Sequence, residues 1–246
     1  MILSQIYQPV CRAKRWLTAL PDKLSTPCPL CLMSSVGGHL CDGCEADFFR
    51  QRQERSTCDR CASDKIKTES CKRCLPNGAI DAMACALDYA FAGQLLMTRY
   101  KQLGQLALAR LFARLMVKAA QPMLQRHHPI AWVPIPASRQ RLLQTGFSPA
   151  QQLARLVAQQ TDIPYHLDCL SQHDPLTPQK RLGRTARQRA VDGRFFAHEL
   201  PAGCTVGIVD DVVTTGSTVD AAARALKEAG ASQVVVIIAA RTPFGA

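Results

Sequence analysis

Residues 206–218 read Val-Gly-Ile-Val-Asp-Asp-Val-Val-Thr-Thr-Gly-Ser-Thr, and this stretch constrains the fold more than any other. The apolar run Thr205–Val209 before the acids has the composition of a strand buried on both faces. Ser217–Ala229 after them reads as a helix, with Val219, Ala222, Ala223 and Leu226 on its inner side and Gly230 past its end. The same alternation runs through the rest of the chain after residue 80. Met83–Tyr89, Ile130–Pro134, Tyr165–Leu170 and Gln233–Ala240 read as strands, and Gly93–Gln102, Leu106–Ala120 and Pro149–Gln160 as helices. Leu108, Leu111, Phe112, Leu115 and Met116 give the second helix one apolar face. Strands alternating with helices imply an α/β fold, a mostly parallel sheet flanked by helices, with ligands beyond the carboxyl ends of the strands.

Asp210 and Asp211 are placed by this reading at the end of a buried strand, where two like charges cost free energy unless something offsets them. Thr214, Thr215, Gly216, Ser217 and Thr218 then lead into the helix. Gly216 permits a tight turn and close backbone approach. The hydroxyls and the free amides of the helix start form a nest for a dianionic phosphate. The neighbouring carboxylates can accept hydrogen bonds from two ribose hydroxyls. A plain N-cap needs one hydroxyl. Four hydroxyls in five residues, beside two acids, describe a sugar-phosphate site better than a cap or a free-anion site.

The other constraint lies at the opposite end of the chain. Residues 28–44 and 58–74 both follow C-x2-C-x9-C-x2-C, and each cysteine of the second copy lies 30 positions after its counterpart. Each CxxC presents two thiolates, and two such knuckles complete a tetrahedral four-thiolate site. The eight ligands are Cys28, Cys31, Cys41, Cys44, Cys58, Cys61, Cys71 and Cys74, enough for two structural zinc ions. Iron–sulfur ligation is the alternative, and closed four-thiolate sites on short ribbons are typically zinc. Pairing within each copy and crossing between copies both satisfy the spacing. Cys11, Cys85, Cys169 and Cys204 are scattered and read as structural.

In the cytoplasm, the default setting for this chain, thiols stay reduced, so cysteines in CxxC pairs point to metal rather than disulfides. No run approaches the roughly 18 apolar residues needed to span a bilayer. The N-terminus lacks the apolar h-region of a secretory signal. The segmentation expected is a leader helix over 1–26, a double ribbon over 27–79 and the α/β domain over 80–246, with the turn-rich Leu75–Ile80 as the junction. The formal charge is +11, lowered once thiolates hold dications, and a basic surplus draws phosphates, nucleotides or nucleic acid. Six basic residues against one acid fall between Lys180 and Arg194, readable as a hood over an anionic ligand, a single-stranded nucleic-acid track, or a solvated face. His127, His128 and His173 have no partners at recognisable spacing and read as surface residues.

The 206–218 segment resembles the PRPP motif of type I phosphoribosyltransferases. Most of the chain is similar to the ComF/GntX family, which is associated with DNA uptake and utilisation during competence. The resemblance rests on the cysteine ribbons, Tyr100–Gly104 (YKQLG), Val133–Pro136 (VPIP), Gly146–Phe147, the group Thr177, Gln179, Leu182 and Arg187, and Ala240–Thr242 (ART). It implies a type I phosphoribosyltransferase-like domain behind a small double zinc ribbon. It also implies PRPP bound with Mg²⁺ on Thr214–Thr218, with Asp210 and Asp211 as the catalytic acids. The loop after Val133–Pro136 would bind pyrophosphate, with Arg139, Arg141 and Arg187 facing the ligand. Implied partners are PRPP or a related phosphoribosyl ligand, single-stranded DNA and the DNA-uptake machinery. Two departures stand out. The family usually reads RGFNQ where this chain has Thr145-Gly146-Phe147-Ser148-Pro149, and it commonly has Asn where this chain has Ala190.

Overall fold

The computed structural model describes residues 24–53, 57–64, 71, 74, 77–172 and 195–243. Residues 1–23 of the expected leader helix and the basic stretch with Arg187 lie outside the described residues, while Ser25 and Thr26, placed at the end of that helix, begin a strand instead. The chain divides into two compact units, Met1–Asp47 and Phe48–Ala246, which leaves the second cysteine copy in the unit that holds the large sheet. In the first unit, β1 (Ser25–Pro27) pairs antiparallel with β2 (Ser34–Val36). Helix α1 (Asp42–Gln53) begins there, with Asp42 and Glu45 favourably placed in its first turn.

In the second unit the strands are β3 (Ala82–Asp88), β4 (Trp132–Pro134), β5 (Leu170–Gln172), β6 (Phe195–Ala197), β7 (Thr205–Val213) and β8 (Gln233–Arg241). The helices are α2 (Phe91–Lys101), α3 (Leu108–His127), α4 (Arg139–Thr145), α5 (Pro149–Thr161) and α6 (Ser217–Glu228). Four strands form one parallel sheet in the order β3-β8-β7-β4. Register explains the two-sided burial. Met83, Val236, Ile208 and Val133 stand side by side and face Val219, Ala222, Ala223 and Leu226 of α6. The opposite face is covered by α3 and α5, which bury Leu111, Phe112, Leu115 and Met116 and Leu153, Ala154 and Val157.

Three sequence expectations are corrected. Tyr165–Leu170 is not a strand: Tyr165 makes a lone parallel bridge to Trp132, and the strand begins at Leu170, pairing antiparallel with β6. A short helix, α4, follows the β4 loop. Above all, β7 does not stop at Val209 but runs through both aspartates to Val213, because β8 continues beside it and pairs as far as Arg241.

Gly207 sits opposite the fully buried Trp132, and a Cβ there would run into the indole ring. Glycine is what lets the largest core side chain lie flat on the neighbouring strand. Gly207→Ala is expected to cost about 1–3 kcal/mol by overpacking. The check is a lowered denaturant midpoint with an unchanged slope, followed by tryptophan fluorescence.

Candidate functional site

Because β7 extends through them, Asp210 and Asp211 leave opposite faces of the sheet. Both are buried, 8% and 2% exposed. Each accepts from the following amide: Asp211 N–H donates to Asp210 Oδ1 (2.8 Å), and Val212 N–H to Asp211 Oδ1 (2.6 Å). Asp210 lines an open cavity of about 450 Å³ above the carboxyl end of the sheet; Asp211 is not among the lining residues. Burial, and next the Asp211 charge, push the Asp210 carboxyl well above the usual carboxylate range, which the Asp211 amide and then Lys101 only partly offset.

The cavity brings Thr214, Thr215, Gly216, Ser217 and Thr218 together as one wall. Gly216 occupies the N-cap of α6 with φ +92°, where an L side chain is strained. Thr215 Oγ1 lies 3.0 Å from Ser217 Oγ and accepts from the Ser217 amide (3.3 Å), so the loop is internally braced while its first-turn amides sit at the positive end of the α6 dipole. Ile135–Ser138, the loop after β4, forms the facing wall, and Gln172 and Phe195, where the β5–β6 pair opens, form part of the rim.

A cation that the sequence reading did not single out completes the site. Lys101, at the C-terminal end of α2, reaches the cavity and pairs with Asp211 Oδ2 at 2.6 Å. Its backbone is fixed by the preceding residue. Tyr100 is fully buried, donates to Gln152 Oε1 (2.9 Å), and packs its ring on Phe112 and Phe147. Burial, then the Asp211 charge, raises the Tyr100 phenol well above its ordinary range, so it remains a neutral donor. The signal in the sequence was the YKQLG block itself, whose tyrosine and lysine alternate between core and cavity. Glycine has a steric role nearby: a Cβ at Gly93 would strike the Asp88 carbonyl, so only glycine permits the turn from β3 into α2.

Arg139 is placed less favourably than the resemblance implies. It is exposed in the first turn of α4 and does not line the cavity; Arg141 lies on the same helix. The departure at residues 145–149 has a structural reading. Ser148 caps α5 by accepting from the Gln151 amide (3.3 Å), Pro149 starts the helix, and Phe147 supports Tyr100.

Both cysteine sets close locally. Cys28, Cys31, Cys41 and Cys44 form one group and Cys58, Cys61, Cys71 and Cys74 the other, with the sulfurs of each group within 4.8 Å of one another. The two knuckles repeat in detail. Cys28 N–H donates to Met33 O (2.7 Å) and Cys58 N–H to Ser63 O (2.8 Å), while Leu32 and Ala62 take similar positive φ values. Burial first, and then neighbouring cysteine sulfurs, raise the Cys44 and Cys74 thiols far above the ordinary range. Burial also opposes ionisation of Cys28, but backbone hydrogen bonds outweigh it and bring that thiol down to about 6. Four sulfurs this crowded could hold a metal ion as thiolates. Sulfur pairs at 3.4–3.5 Å sit close to the roughly 3.8 Å edge of a tetrahedron with Zn–S bonds of about 2.3 Å, so both sets fit zinc.

Comparison with known proteins agrees with this geometry. A family model described as phosphoribosyl transferase domain matches residues 142–243. Competence protein F of Haemophilus influenzae is 26% identical over 80% of this chain and 88% of its own length. Competence protein ComFC of Streptococcus pneumoniae is 24% identical over 83% and 89%. The DNA utilization protein YhgH of Escherichia coli K12 is 28% identical over 87% and 96%.

Proposed function

We propose, on the premise that this chain belongs to the ComF family of competence and DNA-utilisation proteins and carries a phosphoribosyltransferase-like domain, that its cavity binds PRPP together with Mg²⁺. The supporting observation is the convergence of the Thr214–Thr218 cradle, the Asp210 carboxylate and the Lys101 ammonium on one cavity of about 450 Å³. The cradle holds the 5-phosphate, and Asp210 receives the ribose hydroxyls. Asp211 acts through Lys101 rather than on the ligand. The loop Ile135–Ser138 receives the diphosphate. Mg²⁺ suits these hard oxygen donors and supplies neutralisation of the diphosphate charge.

The arrangement supports a displacement in which the bond from the anomeric carbon to pyrophosphate breaks as the bond to an acceptor forms. Asp210 then offsets the positive charge developing on the ribose, a preorganised electrostatic role. The reduced four-thiol centres suit a cytoplasmic protein, and no helix among the described residues is long and apolar enough to cross a membrane. Calorimetry with PRPP tests the assignment. Saturable binding in the presence of Mg²⁺, much weakened by its omission and for ribose 5-phosphate alone, is the expected result. Absence of binding at millimolar PRPP with Mg²⁺ overturns it.

A relative named as a DNA utilization protein, together with the basic surplus of the chain, supports a second role in which the protein handles DNA, with single strands as the form proposed. Oligonucleotide affinity should then fall steeply with salt as phosphate contacts release counterions. No binding at low salt removes this role.

A further inference from the structure

We infer that the second cysteine centre is the support on which the phosphate loop stands, so that metal held by Cys58, Cys61, Cys71 and Cys74 and a phosphoribosyl ligand in the cavity stabilise one another. The coupling rests on the reading of Thr214–Thr218 as the phosphate cradle; the mechanical link does not.

Three connections tie the centre to the loop. The knuckle between the first two ligands is joined to the sheet edge, where Met83 N–H donates to Asp59 O at 2.7 Å. The turn just after the second ligand is joined to the end of β8, where the buried Arg241 donates through Nε to Ser63 Oγ at 2.8 Å. Thr242, the next residue, lines the cavity. The segment following the last ligand, Cys74, is fastened to the first turn of α6. Ala79 N–H donates to the buried Asp220 Oδ1 at 2.6 Å, and Arg224 bridges Asp220 Oδ2 (3.0 Å) and Asn77 O (2.8 Å). Arg60 closes the ring by donating to Gly78 O (2.8 Å) and Ile80 O (3.2 Å). Between these ties lies a void of about 20 Å³, walled by Cys61 and Cys74 on one side and by Thr215, Gly216 and Asp220 on the other.

Asp220 stands four residues after the Gly216 N-cap, and its own amide donates to Gly216 O at 2.9 Å. The turn that shapes the cradle is therefore the turn that grips the ribbon. Among the described residues of 57–80, only Ala62, Ala79 and Ile80 join the apolar cluster. Four thiolates closed on a dication are what fix the ribbon end of these ties. A site that orders the cradle lowers the ordering cost of ligand binding, and the effect is reciprocal between the two ligands.

The test uses the full chain loaded with zinc. Cys71→Ser with Cys74→Ser opens the second centre, and Cys41→Ser with Cys44→Ser opens the first, which belongs to the other compact unit. Ser63→Ala keeps all eight thiols and removes one tie. Opening the second centre is expected to weaken Mg²⁺-dependent PRPP binding by roughly tenfold or more, within the range of known couplings, and opening the first to leave it within about twofold. Saturating PRPP is expected to slow transfer of one of two zinc ions to a chromogenic chelator. Amide exchange across Val213–Val219 is expected to quicken in the second-centre variant and, less so, in Ser63→Ala while its zinc content stays at the wild-type level. Equal PRPP affinity in the two double variants overturns the coupling. If the wild-type protein binds no PRPP, the ligand reading fails by itself, and the support is then judged on exchange alone: unaltered exchange at Val213–Val219 in both the second-centre and Ser63→Ala variants refutes it.

Discussion

Asp210→Asn is expected to lower PRPP affinity by about two orders of magnitude and, at the same time, to raise the denaturation midpoint at pH 8. The loss follows from the only carboxylate that lines the cavity among the described residues. Charge-assisted hydrogen bonds contribute about 1.5–3 kcal/mol each, so removing the charge beneath two ribose hydroxyls approaches a hundredfold. The gain in stability follows from burial, which with the adjacent Asp211 raises the Asp210 carboxyl well above its ordinary value. A raised folded-state pKa means that the native protein binds this proton more tightly than the unfolded chain does. The contribution favours folding below the unfolded pKa near 3.9 and is lost as pH rises through the folded value. Asn keeps an oxygen for the Asp211 amide and removes the charge. The midpoint gap between variant and wild type should therefore widen from pH 5 to pH 8. Wild-type PRPP affinity in the variant refutes the assigned role, and a lower midpoint at pH 8 refutes the electrostatic account.

That two adjacent acids end up buried and electrostatically costly was readable in the sequence; which of them faces the cavity was not. Apolar composition marked β7 only as far as Val209, since charged residues argue against a buried strand. The strand continues because β8 lies alongside with matching length, a pairing of distant residues that no local pattern displays. Strand geometry continued through Asp210 and Asp211 sends the two carboxylates to opposite faces, Asp210 toward the cavity and Asp211 toward Lys101. The helix α6, with its apolar face and Gly230 stop, was legible because its period is local. Tyr165 was misread for a related reason. Its apolar setting serves a single bridge to Trp132, not a ladder. The cysteine spacing gave the ligands but left local and crossed closure equal, since both satisfy tetrahedral coordination. The gathering of the four sulfurs of each copy within 4.8 Å of one another decides it. Arg139 is implied by the resemblance, which carries no side-chain direction; α4 leaves it exposed and outside the cavity lining.

Lys101→Met is expected to cost about 3–5 kcal/mol of stability, the range for removing one partner of a buried ion pair. Lys101 is 18% exposed and Asp211 3%, so water screens the pair little. Without the ammonium, Asp211 keeps a buried charge beside Asp210, and the Asp210 carboxyl loses a neighbour that holds its pKa down. Protonation relieves this, so the deficit should shrink as pH falls, the opposite of ordinary acid denaturation. Lys101→Met with Asp211→Asn removes both members of the pair and should recover most of the lost midpoint, because an uncharged pair of similar size can replace a buried ion pair at little net cost. It should not recover PRPP affinity, since the cation at the cavity wall is still missing. A merely structural lysine gives a different pattern, in which the double variant regains binding along with stability. Guanidinium unfolding at pH 5 and pH 8, with calorimetry on the wild type, the two single variants and the double variant, separates the two. Recovery of both properties together leaves Lys101 as a brace for Asp211 and takes it out of the ligand site.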